Sequence, residues 1–373
     1  MKTSCEPVQI LVLQSTAFCN IDCSYCYLPD RDVKGRMGRD VLQRVGREII
    51  DSPYWRDDSL VLWHAGEPLV CGVEWYRYAH SLLSDDGRRP LRIQFQTNGT
   101  LLDSAWTDFF RESGACVGVS IDGPKVLHDH HRRDRRGKPT FDRCMQSISM
   151  LRDAAIPFST ISVVTSESLG RADEIFEFFN ELEPSRVGFS IEEAEGVNCE
   201  SSLYRDSLLE LVERFFFSLA MRNFQAAKPL RIREIDAVLA ALVESRVRVG
   251  TSQEVELGWI VAIGTGGDVA LFSPELLTTR SRNGQIMTVG DIRTQSFTEI
   301  VSSEKARHQA EQILRGVSAC RFSCEYFPHC GGGSPANKYF EFERFDVAET
   351  WYCRVAKKAT VRGILRAIAE TAR

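Results

Sequence analysis

Three cysteines stand together near the start of the chain, in the segment Thr16-Ala-Phe-Cys19-Asn-Ile-Asp-Cys23-Ser-Tyr-Cys26-Tyr-Leu-Pro29. The Cys-x-x-x-Cys-x-x-Cys spacing puts three thiolates on one short loop, enough to hold three irons of a 4Fe-4S cubane. No fourth cysteine follows at cluster spacing, so one iron would lack a protein ligand and be open to a small molecule. A cluster closed by four cysteines only moves electrons; an incomplete set is a sign of chemistry at the free iron. Zinc is the alternative, but its favoured spacings differ and its fourth ligand is missing.

A second group lies near the other end, Cys320-Arg-Phe-Ser-Cys324-Glu-Tyr-Phe-Pro-His-Cys330-Gly-Gly-Gly333, followed at a distance by Glu349-Thr-Trp-Tyr-Cys353. Here Cys320, Cys324, Cys330 and Cys353 suffice to close a complete cluster, which would be an electron-transfer centre, with structural zinc as the competing reading. The glycine run allows close backbone wrapping. Seven of the twelve cysteines fall into these two groups in a chain with no secretory signal, so metal ligation explains them better than disulfides do. Cys5, Cys71, Cys116, Cys144 and Cys199 read as ordinary cysteines.

The elements that would position these groups follow from periodicity. β-rich runs at Val8–Gln14, Ser59–His64, Leu91–Gln96, Cys116–Ile121, Pro157–Val164 and Arg186–Ser190 alternate with helical patterns at Asp40–Ile50, Val73–Leu83, Ser104–Glu112, Phe141–Asp153 and Ser168–Leu182. Six βα units predict an α/β fold with a mostly parallel sheet, and in such folds the carboxyl ends of the strands carry the ligands. Two helical stretches follow, Leu203–Met221 and Arg231–Ser245, then an antiparallel pair, Val255–Ile263 and Asp268–Phe272, turning at Gly264-Thr-Gly-Gly267. The expected division is 1–200, 201–250 as a helical linker, and 251–373 as a smaller module holding the second cysteine group. That module should close with a helix, Arg354–Ala372, whose face of Val355, Ala359, Ile364, Leu365 and Ile368 packs inward.

The first cysteine loop resembles the signature of the radical S-adenosylmethionine (SAM) family, including an aromatic residue, Tyr25, where the family packs the adenine. The resemblance implies a partial (β/α)6 TIM barrel in which SAM binds the open iron and is cleaved reductively to a 5′-deoxyadenosyl radical. Trp63-His-Ala-Gly-Glu-Pro-Leu69 is similar to the family's Gly-Gly-Glu-Pro segment, with Ala65 in place of the first glycine, and this makes Gly66 and Glu67 expected SAM contacts. Gln94-Phe-Gln96-Thr-Asn98 and Val119-Ser120-Ile-Asp122 resemble the ribose-side segments, so Gln96, Asn98, Ser120 and Asp122 are expected to meet the ribose and sulfonium. Arg132 stands where the family pairs an arginine with the SAM carboxylate, and Thr160–Val164 would offer a backbone edge to adenine. Taken alone, each of these segments is an ordinary turn or strand end. His64 lies near the site, whereas His80, His130, His131 and His308 show no partner pattern.

The tail resembles the SPASM extension of peptide-modifying radical SAM enzymes, with its Cys-Gly-Gly turn and Glu-Thr-x-Tyr-Cys ending. It departs from that pattern because Gly258–Pro274 contains no cysteine and Ser334 stands where another would be expected. The resemblance therefore implies two 4Fe-4S clusters, one binding SAM and one auxiliary. It is nearest to the glycine-rich-repeat peptide maturases, which abstract a β-hydrogen and join that carbon to an aromatic ring as a cyclophane. Implied partners are a glycine-rich precursor peptide with aromatic residues and an electron donor such as flavodoxin or ferredoxin. A formylglycine-forming sulfatase maturase or thioether-forming maturase is the alternative enzyme. A non-catalytic iron-sulfur redox sensor or electron carrier would leave Glu67, Asn98, Ser120 and Arg132 without a purpose.

The 373-residue chain, with 43% hydrophobic and 26% charged residues, has the composition of a soluble globular protein. A formal net charge of −5 argues against broad binding to nucleic acid or anionic membrane. The basic stretch His128-Asp-His-His-Arg-Arg-Asp-Arg-Arg136 reads most simply as a solvated loop. Without a long apolar run or a signal peptide, a cytoplasmic location is expected.

Overall fold

The computed structural model describes residues 5–244, 252–277, 279 and 286–373. Its first part alternates strand and helix: β1 (Ile10–Leu13), α1 (Arg39–Val45), β2 (Leu60–Trp63), α2 (Val73–Leu83), β3 (Arg92–Thr97), α3 (Ser104–Ser113), β4 (Cys116–Ser120), α4 (Lys125–His131), α5 (Phe141–Asp153), β5 (Phe158–Val164), α6 (Ala172–Leu182) and β6 (Arg186–Ile191). The β-branched, apolar strands pair in parallel in sequence order, as helix-covered strands buried on both faces do. Each expected strand is found. α4 was not foreseen, because a short segment rich in histidine and charge carries no clear helical stripe.

Helix geometry follows local chemistry. α3 begins where the Asp103 side chain accepts from Trp106 N at 3.2 Å, and it stops at Gly114, whose φ of +66° ends the helix in the left-handed region. α2 buries Trp75, Tyr76, Ala79 and Leu83 on one face. Trp63, Phe95, Trp106 and Phe109 gather around Tyr76 with ring centroids 4.8–6.5 Å apart. The Tyr76 hydroxyl emerges from this cluster to donate to Ser15 Oγ at 2.6 Å, which fixes the start of the cysteine loop against the core.

Beyond α7 (Leu209–Gln225) and α8 (Arg233–Glu244), the expected antiparallel pair is present as β7 (Ile260–Ile263) and β8 (Asp268–Leu271). It does not start a separate sheet. β7 pairs in parallel with β1, Leu11 opposite Val261, and with β9 (Gly290–Asp291) the single sheet runs β6-β5-β4-β3-β2-β1-β7-β8-β9. The reason is visible in the burial: Ile260, Val261, Ala262 and Ile263 are all buried, so this strand needs cover on both faces.

The remaining helices are α9 (Phe297–Val301), α10 (Glu304–Ser323), α11 (Phe327–Cys330), α12 (Pro335–Phe342) and α13 (Thr360–Thr371). α13 lies along α7, and the contact is close because Gly363 has no side chain: a Cβ there would sit 2.3 Å from the Glu213 carbonyl oxygen. Val355, Ala359, Ile364 and Ala367 are buried, while Leu365, expected inside, is 37% exposed. Among the described residues, no helix is long and apolar enough to cross a membrane.

Candidate active site

The loops after β1, β2, β3 and β4 meet at one end of the sheet. The cysteine loop is held there by backbone bonds from Cys19 N to Arg31 O (3.0 Å), Asp22 N to Arg133 O (2.7 Å) and Ser24 N to His131 O (3.1 Å). Arg135 Nε donates to Cys19 O at 2.6 Å and Arg31 Nη1 to Cys26 O at 3.1 Å. The basic stretch expected as a solvated loop is therefore partly helical and is a clamp on the cysteine loop. Burial raises the thiols of Cys19 and Cys23 to about 12, so bonds to the separate irons of a cluster would be the natural means of holding them as thiolates.

Gly66 lies against the same loop with a φ of +70°. An added Cβ would stand 2.3 Å from Thr16 O and 2.9 Å from Phe18 O, backbone atoms with little room to move. Ala65 next to it has a φ of +65°, a conformation in which a glycine would carry no strain. Glu67 N donates to Phe18 O at 2.9 Å. The buried Glu67 carboxylate accepts from Leu69 N (3.0 Å) and the Thr97 hydroxyl (2.6 Å) through Oε1, and from Asn98 N (2.8 Å) through Oε2. Burial nevertheless raises its pKa to about 6, three accepted hydrogen bonds notwithstanding. Glu67 thus ties the second loop to the third. Asn98 continues the chain of bonds, its Nδ2 donating to Asn20 Oδ1 at 2.9 Å and lying 3.8 Å from Cys19 Sγ.

Asp122 departs from its expected place beside a ribose. Its Oδ2 accepts from the Tyr25 hydroxyl at 2.5 Å and from Arg132 Nε at 3.0 Å; its Oδ1 accepts from Arg132 Nη2 at 3.1 Å and Val163 N at 3.0 Å. Burial alone would raise this carboxyl, but the Arg132 guanidinium and its hydrogen bonds leave the pKa lowered. With both oxygens engaged, Asp122 stands behind the cavity and orients Tyr25 and Arg132. Arg132 Nη1, the remaining end of the fork, lies 4.0 Å from Cys23 Sγ. The expected adenine edge also differs, because Ile161 O is taken by Ile121 N and Val163 N by Asp122. Ile161 and Val163 nonetheless line the cavity.

That cavity, about 300 Å³, is lined by Cys19, Cys23, Cys26 and Tyr25 together with Gly66, Glu67, Gln96, Asn98, Ser120 and Arg132. Gln96 Nε2 donates to Ser120 Oγ at 2.9 Å. His64 also faces it, and burial lowers its pKa to about 4, so it is a neutral imidazole near pH 7. Three thiols, an unfilled guanidinium corner and neutral hydrogen-bonding groups fit an iron-sulfur cluster carrying a zwitterionic ligand. His80, on α2, and His308, on α10, lie elsewhere in the fold.

A family model for the Radical SAM superfamily matches residues 13–179, which span the cysteine loop and the strand-end loops just described. The chain belongs to the radical SAM superfamily. A radical SAM chain of this kind is 35% identical to "Uncharacterized protein sll1766" of Synechocystis sp., over 99% of this chain and 94% of that one. It is 28% identical to a cysteine-type anaerobic sulfatase-maturating enzyme of Clostridium perfringens, over 94% of this chain and 95% of the relative. Its fold superposes with a TM-score of 0.77, at 21% identity and covering 97% and 98% of the two chains, on native anSMEcpe with bound AdoMet and Cp18Cys peptide. Membership implies SAM and a 4Fe-4S cluster, and the cysteine triad and its cavity are where this radical SAM enzyme would hold them.

The second cysteine group converges as well. Cys320, Cys324, Cys330 and Cys353 line one cavity of about 60 Å³ with Lys338, Thr350 and Tyr352. Among the described residues, no set of three or more His, Cys, Asp or Glu side chains gathers tightly enough for a single metal ion. A cubane needs a wider set, since each thiolate meets a different iron.

Sequence reasoning missed one feature. Glu193, Glu195 and Glu275 face the first cavity together, two from the segment after β6 and one from the turn after β8. Asn337 on α12 donates its amide to Glu193 and, at 2.8 Å, to Glu195 Oε1. Burial and mutual repulsion raise all three carboxyls above the ordinary carboxylate range. The acidic run Glu192-Glu193-Ala194-Glu195 was the available signal, but nothing local tied it to Glu275. Because the folded chain holds these protons more tightly than the unfolded chain, stability falls as pH rises through the raised values. The melting midpoint of the metal-free protein should therefore drop between about pH 5 and about pH 8. Glu275→Gln should flatten that drop in a pH series of thermal melts.

Proposed function

We propose that this radical SAM enzyme is a peptide maturase that abstracts a β-hydrogen from a precursor-peptide residue and joins that carbon to an aromatic side chain as a cyclophane. The supporting observation is the tail: its four thiols line one cavity, and Gly258–Pro274 has no cysteine for another site. That favours one auxiliary 4Fe-4S cluster beside the SAM-binding one. When bound, the first cluster and SAM supply a 5′-deoxyadenosyl radical that removes the β-hydrogen.

The chain's own residues have separable tasks. Arg132, held by Asp122, would pair with the SAM carboxylate, while Gln96, Ser120 and Asn98 would offer hydrogen bonds to the rest of the cofactor. Glu193, Glu195 and Glu275 lie on the cavity wall away from the cysteine loop in sequence, where a peptide residue would meet the radical. After the carbon radical adds to the ring, one proton and one electron must leave. Glu193, whose pKa burial raises to about 7, is the member of this group suited to take the proton, and the four tail thiols would hold the cluster that takes up the electron.

Anaerobic reaction with SAM, a strong reductant and a glycine-rich, aromatic-containing precursor should remove two hydrogens per crosslink. Tandem mass spectra should show no backbone fragments between the joined residues. Serine conversion to formylglycine also removes two hydrogens, so a hydrazide probe is the needed control. A hydrazide-reactive aldehyde in place of the crosslink would support the sulfatase-maturase reading, which the 28% identity to the Clostridium perfringens enzyme favours.

A further inference from the structure

α12 joins the two cysteine sites through adjacent residues. Asn337 donates into the Glu193 and Glu195 carboxylates of the first cavity, whereas Lys338 turns to the second, its Nζ 3.7 Å from Cys320 Sγ. Lys338 is only 3% exposed. The space for it comes from Gly316 on α10, where a Cβ would come within 3.0 Å of Nζ. Among the described residues no carboxylate makes an ion pair with it, and its hydrogen-bond acceptor is the Cys320 sulfur. Lys358 also lines this cavity but is tied to Glu349 at 2.8 Å. A buried ammonium is costly without an anion, so this arrangement asks for negative charge on the cysteine sulfurs.

We propose that Lys338 is a positioning residue for the tail cluster that raises its reduction potential through charge and an N–H···S hydrogen bond to Cys320. The inference rests on the reading that the tail holds an iron-sulfur cluster. A cubane with four thiolates is anionic and gains one more negative charge on reduction, so a fixed cation beside it stabilises the reduced form more. The consequence is functional: a higher potential makes the cluster a better acceptor for the electron released as the substrate radical re-aromatises.

The test is an anaerobic, EPR-monitored redox titration of the reconstituted full chain, with the tail signal assigned in a Cys19→Ala/Cys23→Ala/Cys26→Ala chain. Lys338→Met should shift the reduction equilibrium toward the oxidised cluster by at least about tenfold, ~59 mV for a one-electron couple. Lys338→Arg should stay near wild type, and Lys358→Met should shift it less than Lys338→Met does. An unchanged potential in a Lys338→Met chain that keeps its iron overturns the proposal. If Lys338→Met and Lys338→Gln both lose the tail iron while Lys338→Arg keeps it, the lysine is structural and the proposal is again overturned. Metal analysis separates failure of the underlying reading: about four irons per wild-type chain, with zinc, would mean that the tail holds no cluster to tune.

Discussion

Asp122→Asn should destabilise the metal-free chain by about 3–5 kcal/mol, the usual cost of stranding one member of a buried ion pair. The carboxylate is 2% exposed and is the counter-charge of Arg132, which is 6% exposed. An amide in its place removes the charge and turns a donor toward Arg132, the Tyr25 hydroxyl or Val163 N, each of which already donates there. Denaturant unfolding measures the loss. Because the folded pKa of Asp122 is lowered, its contribution is complete above the unfolded value and disappears as pH falls through the folded one. In the loaded enzyme, loosened Arg132 and Tyr25 should also weaken SAM binding, read as a raised KM for SAM.

Gly66→Ala should have the second large effect. A left-handed φ costs a non-glycine residue roughly 1–2 kcal/mol. The heavier penalty is steric, because the new methyl would lie 2.3 Å from Thr16 O and 3.0 Å from the Ala17 carbonyl carbon. The cysteine loop must then move away from β2's loop, separating Cys19 from Asn98 and Glu67. On the proposed two-cluster reading, iron after reconstitution should fall from about eight per chain toward about four, because no tail cysteine takes part in this contact. Ala65→Gly serves as the opposite control: relief of strain at a φ of +65° should raise the unfolding free energy by up to about 1 kcal/mol.

Much of this was legible in sequence because the signals were local. The apolar runs that became β1 to β6, the helix Val73–Leu83 and both cysteine groups are each defined within a short window. What escaped notice depended on distant partners. Asp122 reads as a strand-end hydrogen-bonding group, and its saturation follows only once Tyr25, Arg132 and Val163 are brought around it. Glu67 reads as a ligand contact and lines the cavity, but that its carboxylate also holds the backbone of Leu69 and Asn98 is visible only in the fold. β7 was legible as a strand but not as a neighbour of β1, since 250 residues separate Ile10 from its partner Ile260. Arg135 looked solvated because its acceptors, Cys19 O, Arg31 O and the Asp32 carboxylate, belong to a loop more than a hundred residues earlier.

The two cavities and the helix between them give the chain its functional logic. α12 touches the acidic wall of the first site with Asn337 and the second site with Lys338, so the proton and electron receivers of the proposed reaction would contact adjacent residues of one helix. On the proposed reading, proximity rather than a mobile carrier makes the second site the electron acceptor.

The most direct test is anaerobic incubation of the reconstituted chain with SAM and a strong reductant, followed by chromatography for 5′-deoxyadenosine. The wild-type chain should form 5′-deoxyadenosine with methionine, and Cys23→Ala should form none while keeping the tail iron. A wild-type chain whose open-iron cluster is reduced, as seen by EPR, yet which yields no 5′-deoxyadenosine would contradict the account.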